Sequence, residues 1–219
     1  MTLSLEPTDL AAYLDRLTTT HLPDQLGSQP PTTSDLKSTL ERVEYCFSRI
    51  KKKYYAEDGH VHFNHLNTDH MASFLWIYSN EIWKNHEDTD LPTRLSYLNK
   101  ILHGIDLFYF VPLPSIFFLI HPLGTVVGRG TFKDYFVIHQ QCTVGDADGS
   151  GAFPSFGGAA VLYAGSTVIG DCQMGDDVAV GAGSLLINES VPDGTLVTGR
   201  YPNSKQSPLG RSVRDRFFN

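Results

Sequence analysis

From residue 126 a large apolar side chain returns at every sixth position. The frame runs Val126, Phe132, Ile138 and Val144, breaks at a polar, glycine-rich interruption, and resumes with Leu162, Val168, Met174, Val180 and Leu186. Two positions earlier the residue is mostly small: Gly124, Gly130, Cys142, Ala160, Ser166, Cys172 and Ser184. Neither the 3.6-residue period of a helix nor the two-residue alternation of an ordinary strand produces this pattern. A period of six fits a short strand and a turn per repeat, with three repeats closing one triangular coil. Coils then stack, each aliphatic side chain inside and each small residue at a crowded corner. The interruption "DADGSGAFPSFGG", residues 146–158, is expected to be a flexible loop thrown out from one coil. Its "DADG" has no acidic residue at the spacing a calcium loop requires.

The preceding half of the chain has a different texture. Most of the 19 glycines lie after residue 123; before it, apolar residues recur at helical spacing. Leu10, Leu14 and Leu17 mark a first helix capped by Thr8, and the series Leu36 to Tyr54 marks a second. Met71, Leu75, Tyr78 and Ile82 follow a capping Asn67 or Asp69, and a fourth helix runs from about Pro92 to a terminating Gly104. The fold class is therefore α+β: an α-helical domain over 1–104, a solenoid over 105–200, and a carboxyl-terminal tail over 201–219.

Charge and composition narrow the partners. A net charge of −7 opposes a nucleic-acid or anionic-membrane partner. The apolar run 107–120 is short and interrupted by Pro112 and Pro114, too broken for a membrane span. Three scattered cysteines form neither a disulfide framework nor a zinc signature, and no metal is expected. The amino-terminal residues do not read as a secretion signal, so the expected location is cytoplasmic. Cys142 and Cys172 occupy the small-residue slot, which packing explains without a nucleophilic role.

The stretch "GIDLFYFVPLPSIFFLIHPLGTVVGRGTFKDYFVIHQQCTVGD", with "VIGDCQMGDDVAVGAGSLL" and "VTGRYPNSK" beyond it, resembles the serine acetyltransferase family of hexapeptide-repeat acyltransferases. The family's histidine context H-x-x-G-x-V-V-G is matched by "HPLGTVVG" at His121, and its G-[IV]-D aspartate, fifteen residues earlier, by Asp106 in "GID". The resemblance implies a left-handed parallel β-helix, acetyl-CoA as co-substrate, a homotrimer or dimer of trimers, and active sites between neighbouring solenoids. It implies His121 as general base and Asp106 as the carboxylate orienting it. A neutral histidine that takes the acceptor's proton during attack on a thioester contributes roughly 10²–10⁴-fold.

Three departures bear on the acceptor. The serine enzymes carry an aspartate before the histidine, where this chain has Ile120, and a glutamate after "VVG", where it has Arg129. Their extended loop carries an Arg-His pair for the amino acid's carboxylate; here the loop reads Ala152-Phe153. A carboxylate is best held by a bidentate cation. The fuller pattern, with "FNHLNTDH" and "LSYLNKILHGID", resembles the serine-acetyltransferase-like proteins of surface-polysaccharide and sugar modification. That resemblance implies an O-acetyltransferase for a sugar or surface-polysaccharide hydroxyl. Serine O-acetylation is the alternative, and a non-catalytic hexapeptide scaffold is the second. Acceptor contacts are expected from His65, Asp69, Arg129, His139 and Gln140. Acetyl-CoA is expected along Gly145, Ala164, Gly165, Ala182 and Gly183, with Arg200 or Lys205 at a phosphate.

Overall fold

The computed structural model describes residues 1–24, 33–87 and 89–219. Four helices come first: α1 over Pro7–His21, α2 over Thr33–Phe47, α3 over Thr68–His86 and α4 over Asp90–His103. Helix α1 starts two residues earlier than a Thr8 cap suggests: Glu6 is the cap and Pro7 takes the first turn, where a missing N–H costs nothing. Helix α2 stops at Phe47, not near Tyr54. The following backbone is claimed by the other end of the chain: Lys51 N–H donates to Phe217 C=O, and Asn219 N–H to Arg49 C=O. Asn67 caps α3, its side chain accepting from the amides of Asp69 and His70. Gly104 closes α4 in the left-handed region at φ 65°, where a Cβ is disfavoured.

Between α2 and α3 the segment 56–63 is a hairpin. Ala56–Glu57 pairs antiparallel with His60–Phe63 across Asp58-Gly59, both at positive φ, and Thr2–Leu3 adds a parallel strand. An Asp-Gly pair in that conformation is a strong hairpin turn.

The second half is a three-sided parallel solenoid. One sheet stacks Phe117–Leu119, Phe136–Ile138, Val161–Leu162, Ala179–Val180 and Thr195–Thr198; Lys205–Pro208 closes it antiparallel. The next face stacks Asp106–Leu107, Val126–Val127, Thr143–Gly145, Thr167–Ile169 and Leu185–Ile187. The third stacks Thr131–Phe132, Ser155–Phe156, Gln173–Met174 and Ser190–Val191. Inside, each sheet presents a buried column, such as Ile138, Leu162, Val180 and Val197. Each of these side chains contributes roughly 1.5–3 kcal/mol by leaving water.

Two details of the repeat differ from the hexad frame. In the first coil the inward residue is Val127, in register with Val144, while Val126 faces out and is 41% exposed. The corner column is likewise headed by Thr125, whose hydroxyl accepts from the Cys142 amide at 3.3 Å, and not by Gly124. The interruption is also shorter than 146–158. Ser155–Phe156 is a rung of the third sheet, and buried Phe156 stacks on Phe132 at 5.3 Å with the rings 7° apart. What projects is ordered by Asp146, whose carboxylate accepts from the amides of Asp148, Gly149 and Gly151. Those three bonds hold its pKa below the usual carboxylate range.

The tail 201–219 returns to the helices. Helix α5, Val213–Phe217, is anchored by Asp177, whose carboxylate accepts from Ser212 Oγ and the Val213 amide. Phe217 and Phe218 are buried, joining the solenoid to the segment after α2.

Candidate active site

The edge between the first and second faces carries most of the candidate residues, because the chain turns there once per coil. Register measures each turn. Leu119, Ile138, Leu162 and Val180 are partners in one sheet; Val126, Thr143, Thr167 and Leu185 are partners in the next. The steps from Ile138 to Thr143, Leu162 to Thr167 and Val180 to Leu185 are each five residues, whereas Leu119 to Val126 is seven. The first corner is thus two residues longer than the three below it, and His121 lies in the excess. Its backbone is left-handed, φ 47°, and its side chain is 74% exposed. A core histidine satisfied by backbone is not what stands here.

One carboxylate meets His121. Asp69, in the first turn of α3, accepts the His121 backbone N–H on Oδ1 at 3.1 Å, and its Oδ2 lies 3.5 Å from the imidazole Nδ1. Asp69 is itself buried, and burial raises its pKa above the ordinary carboxylate value, against the lowering effect of the His121 amide and imidazole. Asp106 is placed differently. It pairs in register with Val126, is half exposed, and its carboxylate receives Lys100 Nζ at 2.5 Å. Among the described residues no hydrogen bond joins Asp106 to His121 within the chain; the Asp106 carboxylate pairs with Lys100 of α4 instead.

His139 and Gln140 occupy the corner one coil below. His139 packs on Tyr163 at 5.2 Å and on Phe217 at 6.2 Å. Its Nε2 is buried with no partner among the described residues, and burial, with the neighbouring His121, lowers its pKa to about 4. It is a neutral, packed imidazole. Ala164-Gly165 and Ala182-Gly183 form the next two corners, linked through the amides of Gly165 to Gln140 C=O and Gly183 to Ala164 C=O. Arg200 ends the same edge, its guanidinium donating to Gly183 C=O at 3.2 Å. Gly145 lies at the far end of the second face, and Lys205 on the antiparallel closing strand. His65 is held elsewhere by Ser4, with Nδ1 2.8 Å from its hydroxyl. Arg129, exposed at the far corner of the first coil, faces the rings of Phe110 at 5.8 Å and Phe153 at 5.9 Å.

The structure therefore joins His121, His139, Gln140, Ala164, Gly165, Ala182, Gly183 and Arg200 along one edge, with Asp69 behind the histidine. A Cβ added at Gly183 would meet nothing within 4 Å, so the edge is open at that corner. Sequence reasoning placed Asp69 only as an acceptor contact. Its position at α3's first turn was legible, but not its meeting with a residue 52 positions away. No helix among the described residues is long and apolar enough to cross a membrane.

No protein-family model matches the chain. Among curated proteins it is similar to the serine acetyltransferase of Synechococcus elongatus, 29% identical over 125 residues, 56% of this chain and 49% of that one. The Helicobacter pylori serine acetyltransferase is 31% identical over 111 residues, covering 48% of this chain and 63% of its own. That of Staphylococcus epidermidis is 29% identical over 149 residues, 67% of this chain and 68% of its own. The match thus spans about half of the first relative and just under two thirds of the second. The fold is that of solved serine acetyltransferases. The Vibrio cholerae structure superposes with a TM-score of 0.65 at 14% identity, covering 95% of this chain and 91% of its own. A Brucella abortus serine acetyltransferase in complex with coenzyme A gives 0.65 at 18% identity, covering 92% and 83%.

Proposed function

We propose that this chain is an acetyl-CoA-dependent O-acetyltransferase that uses His121 as general base and a small amino-acid hydroxyl, serine foremost, as acceptor. The observation that carries the reading is His121 itself. It is an exposed imidazole lifted on a lengthened corner, its Nδ1 turned toward a buried carboxylate, heading an edge of small residues. Such an arrangement leaves Nε2 for an acceptor hydroxyl. His121 removes the hydroxyl proton as the oxygen attacks, and the resulting imidazolium is stabilised by the carboxylate behind it.

Acetyl-CoA would supply the activated thioester carbonyl. The edge at Ala164, Gly165, Ala182 and Gly183 is where its extended arm would lie, with Arg200 or Lys205 toward a phosphate. In the same reading the solenoid is left-handed and the chain works as a trimer or dimer of trimers. Leu123 and Val126, 67% and 41% exposed beside His121, are the surface a neighbour would cover. A walled cleft also positions a thioester better than one convex edge.

The relatives favour serine over the saccharide expected from the sequence. One observation keeps the saccharide as second reading: the loop presents Ala152-Phe153 and no cationic pair. Arg129 answers this in part. Set between Phe110 and Phe153 at the far corner of the first coil, its guanidinium would meet an acceptor carboxylate at the active site of a neighbouring subunit rather than beside its own chain's His121. Release of coenzyme A thiol should be measured with acetyl-CoA against serine, nucleotide sugars and oligosaccharides. Saturable turnover with serine that weakens at least tenfold in KM for Arg129→Gln supports the reading. Turnover only with saccharides transfers it to the second. No turnover with any acceptor leaves a scaffold.

A further inference from the structure

We propose that Asp69, a residue of the helical region, is the positioning residue that sets the backbone, tautomer and orientation of His121. The inference rests on the reading of His121 as general base and assigns the carboxylate that serves it.

The first ground is conformational. The His121 corner has two residues that the coil beneath does not template, so the ladder that fixes the other corners cannot fix this one. His121 sits at φ 47°, a sparsely populated region for a residue with a Cβ, which persists where surrounding structure over-determines it. The over-determination comes from Asp69. One carboxylate engages the residue twice, Oδ1 accepting the backbone N–H at 3.1 Å and Oδ2 facing Nδ1 at 3.5 Å. The second contact is long, as such contacts often are before substrate closes the site.

The second ground is that Asp69 is itself fixed. It lies in the first turn of α3, where Asn67 Oδ1 accepts its amide at 3.0 Å and its carbonyl accepts Ser73 Oγ at 2.8 Å. The side chain is 5% exposed and the helix around it is buried along most of its length. A group whose own rotamer is locked by packing can hold another to sub-ångström tolerance.

The third ground is the competitor. Asp106 is half exposed and committed to Lys100 at 2.5 Å, so its charge is already met. Among the described residues Asp69 meets no lysine or arginine, only the His121 imidazole. Its burial disfavours the ionised form, and the group best placed to relieve that cost is the imidazole opposite, once it has taken a proton. The stabilisation is therefore greatest as proton transfer proceeds, which is when it accelerates the reaction.

The test reads tautomer and rate separately. Long-range ¹H–¹⁵N correlation of the imidazoles in the full-length protein at pH 8 reports which ring nitrogen holds the proton. The His121 signals are identified by their loss in His121→Asn. We expect Nδ1–H in the wild type, moving toward the Nε2–H form that a free side chain favours in Asp69→Asn, and unchanged in Asp106→Asn. Asp69→Asn keeps an oxygen for the His121 amide, so the corner should remain folded by circular dichroism. Its kcat should fall roughly 10²-fold or more, with KM for acetyl-CoA and acceptor within about threefold. Asp69→Ala, which loses both contacts, should fall further. An unmoved tautomer in Asp69→Asn, or a shift in Asp106→Asn alone, overturns the assignment. A tautomer shift in a protein that transfers acetyl to no acceptor upholds Asp69 and removes the enzymatic reading instead.

Discussion

Replacing His70 by phenylalanine should make the protein less sensitive to acid. His70 is fully buried in α3 among the rings of Phe47, Tyr55 and Phe63, at 4.9, 4.2 and 6.3 Å. Its Nδ1 accepts the Asn64 amide at 3.2 Å, and its Nε2 has no partner among the described residues. Burial, followed by the charge of His62, lowers its pKa from 6.5 to about 4. The depressed value means that the unfolded chain binds the proton first. Stability is complete above the unfolded value of about 6.5 and is lost progressively as pH falls toward 4. At pH 5 an unfolded imidazole is almost wholly protonated and the buried one about a tenth so. Integrating that difference from pH 7 gives about 2 kcal/mol from this one side chain. Urea unfolding of wild type and His70→Phe at pH 7 and pH 5 measures it, because acid effects common to both proteins cancel. The phenyl ring is close to the imidazole in size and its neighbours are aromatic, so cavity terms stay small. Equal acid losses in the two proteins would refute the reasoning, since the buried imidazole would then titrate as freely folded as unfolded.

Two further outcomes are expected. His121→Asn should lower acetyl transfer by roughly 10²–10⁴-fold with little change in melting temperature, because the side chain is 74% exposed and asparagine tolerates the left-handed backbone; steady-state rates and a thermal melt decide it. Phe156→Ala should cost about 3–5 kcal/mol in urea unfolding, since the ring is buried against Phe132 and Phe136, both at 5.3 Å; a loss below about 1 kcal/mol would mean that residues 155–156 belong to the loop after all.

The hexad is legible in the sequence because its cause is local. Each coil repeats the same inside and the same corner, so Ile138, Leu162 and Val180 report their environment without reference to anything distant. The helices are legible for a similar reason, through spacing and caps such as Asn67 and Gly104. The Asp58-Gly59 turn was there to be read as well, from the dipeptide alone.

What the sequence did not disclose depends on phase and on meetings between distant residues. A slip of one residue turns Val126 outward and Val127 inward, and only pairing with Thr143 and Val144 decides between two equally apolar neighbours. Ser155–Phe156 reads as loop until stacking on Phe132 claims it as a rung. The choice between Asp106 and Asp69 is of the same kind. Both carboxylates are plain in the sequence, and the interval of fifteen residues points to the first. The packing of α4 gives Asp106 to Lys100, and the packing of α3 brings Asp69 to His121 across 52 residues. Periodicity is a property of neighbours along the chain and determines the solenoid. Which charge faces which imidazole is set by how two packed regions dock, and only the tertiary structure decides it.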